Sequence, residues 1–108
     1  MKTKVYIQKN KWALERARIL IFNAMAQLYK TNKDILSVEP KDGKIFSLEE
    51  LQSFVNGYIE IIMIGYEKFM IINEEGCING MPLNENASSL VGGFIFGDVL
   101  ICKPSEIE

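Results

Sequence analysis

The spacing of apolar residues changes several times along the chain, and each change marks a predicted element. From Lys11 to Lys30 the spacing is helical: Leu14, Ala17, Leu20, Ile21, Ala24, Met25 and Leu28 share one wide face, broken by Arg18. Glu15, Arg16, Asn23, Gln27 and Lys30 lie opposite. No Pro or Gly interrupts this stretch and Asn10 stands where an N-cap belongs, so a long helix over 11–30 is expected. A face that wide calls for two partners, such as a sheet and another helix, or a second copy of the chain, which makes a homodimer through helix 11–30 one expected arrangement. Ahead of it, Val5-Tyr6-Ile7 among Lys2, Lys4, Lys9 and Lys11 reads as an edge strand.

Beyond the polar break Thr31–Asp34 the period shortens. Ile35–Val38 reads as a strand stopped by Pro40 and turned by Asp42-Gly43, with Lys44–Phe46 as a short return strand. Ser47-Leu48-Glu49-Glu50 is a capping box opening a helix near 48–56, stapled by Phe46 and Leu51, with Gly57 at the expected left-handed terminator. Tyr58 to Ile64 is apolar on both faces except at Glu60, the pattern of a central strand covered on both sides. A hairpin returns through Lys68–Asn73, and Asn73-Glu74-Glu75-Gly76 is a turn, with Cys77-Ile78 as a very short strand after it. Asn84 caps a short helix over 85–91 closed by Gly92-Gly93, and Phe94–Phe96 and Asp98–Cys102 are extended. The expected fold is therefore one α+β domain over 1–108. It has a mostly antiparallel sheet from strands near 35–38, 58–64, 68–73 and 98–102, a long N-terminal helix and two shorter helices. Residues 1–34 form a strand-helix extension and 103–108 a tail.

Composition narrows the chemistry. With 108 residues, nearly half of them apolar, one core needs no disulfide or metal staple. The chain has no histidine, which removes the commonest general base, the Ser-His and Cys-His nucleophile pairs and the usual zinc sites. Cys77 and Cys102 each lie in an apolar stretch with no CxxC, and read as core residues of a reducing compartment. Ile19–Ala26 follows basic residues, but Asn23 interrupts it and the preceding region is already patterned, so it reads neither as a signal peptide nor as a membrane span. A cytoplasmic protein without membrane contact is expected. The charge is polarised: residues 1–44 carry eight Lys and two Arg against four acids, and residues 45–108 carry two Lys against ten acids.

The set Gly57-Tyr58-Ile59-Glu60, Asn73-Glu74-Glu75-Gly76, Gly80-Met81-Pro82-Leu83-Asn84 with Ala87 and Leu90, and Gly97-Asp98-Val99-Leu100-Ile101 resembles domain-of-unknown-function family 3846, over about residues 35–102. The resemblance implies a bacterial mobile-element setting, in phages, plasmids or conjugative elements, and an accessory or counter-defence role. It brings no catalytic residues to carry over.

Two constellations are candidate sites. Glu60, Asn73, Glu74, Glu75, Asn84 and Asn86 form a polar corner, whose spacing matches no calcium loop and whose asparagines already have turn and cap roles. Glu60, in an apolar strand, is a candidate ion-pair partner for Arg18. Lys2, Lys4, Lys9, Lys11 and Arg16, interleaved with Tyr6 and Trp12, could hold phosphates and stack bases. No catalytic or metal constellation and no cofactor are predicted. The leading expectation is a non-enzymatic module that binds an unknown protein partner. The alternative is a small nucleic-acid-binding accessory using the basic N-terminal segment, and a third reading makes Glu60, Glu74 or Asp98 an acid or base.

Overall fold

A computed structural model describes residues 25–107. Its strands are β1 (Ala26–Tyr29), β2 (Ile35–Val38), β3 (Ile59–Gly65), β4 (Lys68–Asn73) and β5 (Val99–Cys102), and its helices are α1 (Leu48–Val55) and α2 (Glu85–Val91). Pro104–Glu106 adds a 3-10 turn. All five strands pair antiparallel in the order β2-β1-β5-β4-β3.

The alternation of side chains along a strand sends neighbouring residues to opposite faces, and α1 packs across one face while α2 meets the other through Ala87 and Val91. Ala26, Ile71, Leu100 and Cys102 pack with Phe46, Leu51 and Val55 on the α1 face. Met70, Val99 and Ile101 pack with Ala87 and Ile95 on the α2 face. All four residues of β5 are buried, as befits the middle strand of a sheet covered on both sides.

The long helix expected over 11–30 is overturned. Its last turns are β1, a strand held between β2 and β5; Gln27 faces Ser37 on one side and Ile101 on the other. Ala26 and Leu28 point to the α1 face while Tyr29 packs on the α2 face, a period of two. A short apolar run fits both periods, and here two ladders of backbone hydrogen bonds decide for the strand. Residues 11–24 of that expectation, and the strand at Val5–Ile7, lie outside the described residues. The two helices that are described have eight and seven residues.

Three smaller expectations change as well. β3 is not central: among the described residues it is an edge of the sheet, with Ile61 and Met63 exposed. The return strand at 44–46 is reduced to a single parallel bridge between Phe46 and Ile107, closed by the Phe46 amide on the Glu106 carbonyl (2.7 Å). Cys77 and Ile78 belong to a turn rather than a strand.

The capping box over α1 is complete. The Glu50 amide donates to Ser47 Oγ (3.1 Å) and the Ser47 amide to Glu50 Oε1 (2.9 Å). The Ser47 amide, together with the Lys41 amide on Oε2 (2.9 Å), holds the Glu50 carboxyl below its ordinary value. At the other end Asn56, not Gly57, takes the left-handed cap position. Gly57 is required for a different reason: a Cβ there would stand 2.7 Å from Nδ2 of Asn73.

Candidate functional site

Two buried asparagines build the ground on which the candidate surface stands. Asn73 ends β4 on the α1 face, where its Nδ2 donates to the carbonyls of Val55 (2.9 Å) and Asn56 (3.2 Å). Those carbonyls are orphans of the α1 C-terminus, so the amide tethers helix to strand. Its Oδ1 accepts the Glu75 amide (2.8 Å) and starts the turn that carries Glu74, Glu75 and Gly76. Gly76 then lies so close to the 94–97 segment that a Cβ would be 2.8 Å from the Phe96 carbonyl oxygen.

Asn84 is wholly buried and has all three of its polar positions used. Oδ1 accepts the Ala87 amide (3.0 Å) as the N-cap of α2, and Nδ2 donates to the carbonyls of Tyr29 and Gly97 (2.9 Å each). The Asn84 amide also donates to the Ile95 carbonyl (2.8 Å). Ser88 Oγ accepts the Ile95 amide (2.9 Å), and the Gly97 amide donates to the Pro82 carbonyl (2.8 Å). The backbone on both sides of Ile95 is thereby pinned.

That pinning sets the side chain before it. Ile95 is buried, so in extended backbone Phe94 is turned outward, and it is 81 % exposed. Phe94 lines two open clefts. One, of about 390 Å³, is formed with Ile72, Glu74, Cys77 and Phe96. The other, of about 400 Å³, is formed with Leu83, Ser88, Ser89 and Gly92. Ile78, next to Cys77, is also exposed. The arrangement offers an exposed aromatic on a pinned backbone between two shallow hollows, one largely apolar and one mixed, open to side chains of another molecule.

The polar corner read from the sequence is divided among several places. Asn73, Glu74 and Glu75 share one turn, with both carboxylates exposed. Asn84 and Asn86 begin α2 and reach toward the end of β1 and the turn after it; Asn86 Nδ2 lies 3.4 Å from the Lys33 carbonyl. Glu60 sits exposed on β3, opposite Ile72 of β4. Asp98 is engaged with Lys30 Nζ (3.0 Å) and the Thr31 amide (2.9 Å), which joins the end of β1 to the approach to β5. Among the described residues no three acidic or thiol side chains come together as metal ligands. Lys2, Lys4, Lys9, Lys11, Arg16 and Arg18 lie outside the described residues, so the basic patch and the Glu60–Arg18 pair do too.

Phe94 was not among the candidate residues read from the sequence. The signal was present in the extended Phe94-Ile95-Phe96, which must bury one side and show the other, but which side depends on contacts with Asn84 and Ser88. Cys102 is buried on β5, and that burial, with Glu106 adding to it, pushes its thiol up to about 12. Cys77 is a free, exposed thiol rather than the core residue expected.

Among the described residues no helix is long and apolar enough to cross a membrane. No curated protein and no solved structure matches the chain. The profile of the family described as Domain of unknown function (DUF3846) matches residues 28–108, a span that begins inside β1 and takes in both asparagine anchors and the Phe94 ridge. The chain therefore belongs to the DUF3846 family.

Proposed function

We propose that this domain is a non-enzymatic protein-interaction module of a bacterial mobile element, with an accessory or counter-defence role. The mobile-element setting rests on the family resemblance. The binding reading is carried by one observation, the exposed Phe94 on a backbone pinned at Ile95 and flanked by an apolar hollow and a mixed one. An aromatic on backbone already ordered before binding loses less conformational freedom on contact, which is one way interface anchors gain affinity. The partner is a protein that contributes apolar side chains to those hollows.

The test is a pull-down from nuclease-treated bacterial lysate at low and high salt, comparing the intact protein with Phe94→Asp. A protein captured by the intact chain and retained at high salt should fall at least tenfold with the variant, in the range of aromatic anchors. Capture unchanged by Phe94→Asp would remove this surface from the reading. Nucleic acid captured only at low salt, and lost when Lys2, Lys4, Lys9 and Lys11 are neutralised, would favour the basic-segment alternative instead.

A further inference from the structure

The outer side of β3 has no neighbour among the described residues, and the ladder on its inner side determines which backbone groups face outward. In an antiparallel pair, residue pairs that exchange hydrogen bonds alternate with pairs that do not. The Glu74 amide donates to the Tyr58 carbonyl (2.9 Å), and this pair continues the register in which Glu60 faces Ile72 and Ile62 faces Met70. Residues 58, 60 and 62 thus direct their amides and carbonyls at β4. Ile59, Ile61 and Met63 direct theirs away from the sheet. The side chains of these three lie on the α1 face, where Ile61 is 44 % and Met63 76 % exposed.

We propose that β3 pairs antiparallel with β3 of a second copy of this chain, about a two-fold axis through Ile61, joining two sheets into one. The strand contains no Pro, Lys or Arg, the residues that usually guard an edge. Its ladder is regular from Ile59 to Met63 and shifts only between Met63 and Gly65, so the regular stretch is centred on Ile61. An axis there sets Ile61 against Ile61 and Ile59 against Met63, apolar on apolar, on the α1 face. On the other face it sets Glu60 against Ile62, so the single charge of the strand does not oppose its own copy, as it would about an axis through Glu60. The outward amides and carbonyls of residues 59, 61 and 63 then meet those of 63, 61 and 59. This edge is complementary to itself, which selects a second copy over an unrelated strand.

The test uses the full chain. Sedimentation equilibrium from low to high micromolar concentration should show a dimer, and amide exchange at Ile59, Ile61 and Met63 should slow as the dimer forms. Met63→Lys and Ile61→Lys should each shift the molecule to monomer; Met63→Lys, on the more exposed site, keeps the fold intact for comparison by circular dichroism. Ile61→Cys in a Cys77→Ser background should form an intermolecular disulfide on mild oxidation, because the axis brings the two copies of position 61 opposite each other. A monomer at every concentration, or a dimer that Met63→Lys leaves unchanged, would overturn the proposal. The association is independent of Phe94: Phe94→Asp should remain dimeric, so loss of partner capture and loss of self-association are separable results.

Discussion

The two edges of the sheet are built on opposite rules. β2 has four residues, enters from the Thr31–Asp34 turn and is followed at once by Glu39 and Pro40, so it offers a short, interrupted edge. β3 has seven residues, is apolar except at Glu60, and leaves Ile61 and Met63 exposed beside its outward backbone groups. The interior attachments differ in kind too. Among the described residues the β1 side is fastened by polar links, Asn84 to Tyr29 and Asp98 to Lys30 and Thr31, whereas the β3 side rests on apolar packing plus the Asn73 tether. An edge that is short and punctuated needs no further protection, while a long apolar one implies a partner.

The sharpest way to break this contrast is Asn84→Ala. It removes three hydrogen bonds at a fully buried site and leaves the Ala87 amide and the Tyr29 and Gly97 carbonyls without that partner, so urea denaturation should show a loss of about 3 kcal/mol. Asn73→Ala, its counterpart on the β3 side, should cost about 2 kcal/mol, because the α1 C-terminus is nearer to solvent. A cost larger than that of Asn84→Ala would invert the ranking of the two attachments.

The middle of the sheet, shared by both sides, reports through Cys102. Its folded-state thiol holds a proton that the unfolded chain releases, so its contribution to stability is fully present below the ordinary value of 9.0 and is lost as pH rises through about 12. Denaturation across that alkaline range should show the decline, and Cys102→Ala should flatten it. At neutral pH a thiol reagent should label Cys77 promptly and Cys102 only at the rate of unfolding.

The smallest effects on stability should come from matched lysines on the two edges. Leu36→Lys on β2 and Met63→Lys on β3 both alter exposed positions, and at concentrations too low for association each should change stability by no more than about 0.5 kcal/mol. Only Met63→Lys should change the sedimentation behaviour.

Legibility followed distance along the chain. The capping box of Ser47 and Glu50 spans four residues and was plain in the sequence, as was Asn84 as a cap. The hairpin of β3 and β4 was equally plain, because its two strands are adjacent. What escaped were the links between distant residues. Asn84 reaches Tyr29 across 55 positions, and no local rule distinguishes that amide from one that only caps a helix. β1 was misread because helical and extended spacing coincide over its four residues, and partners near positions 37 and 100 chose between them. Within the polar corner Asn73 and Asn84 have separate hydrogen-bond partners, Val55 for one and Tyr29 for the other, which composition does not reveal.

By itself the sequence determined the local elements: two short capped helices, the β3–β4 hairpin, the turn at Asn73, and a chemistry without histidine. These depend on residues within a few positions of one another, where propensity, capping and alternation act directly. Only the tertiary structure decided that Ala26–Tyr29 is a strand, that among the described residues β3 lies at an edge and β5 in the middle, and that Phe94 faces outward. Each of those depends on which distant backbone groups meet, and backbone hydrogen bonding is the same for every sequence, so residue patterns alone leave the choice of partner open.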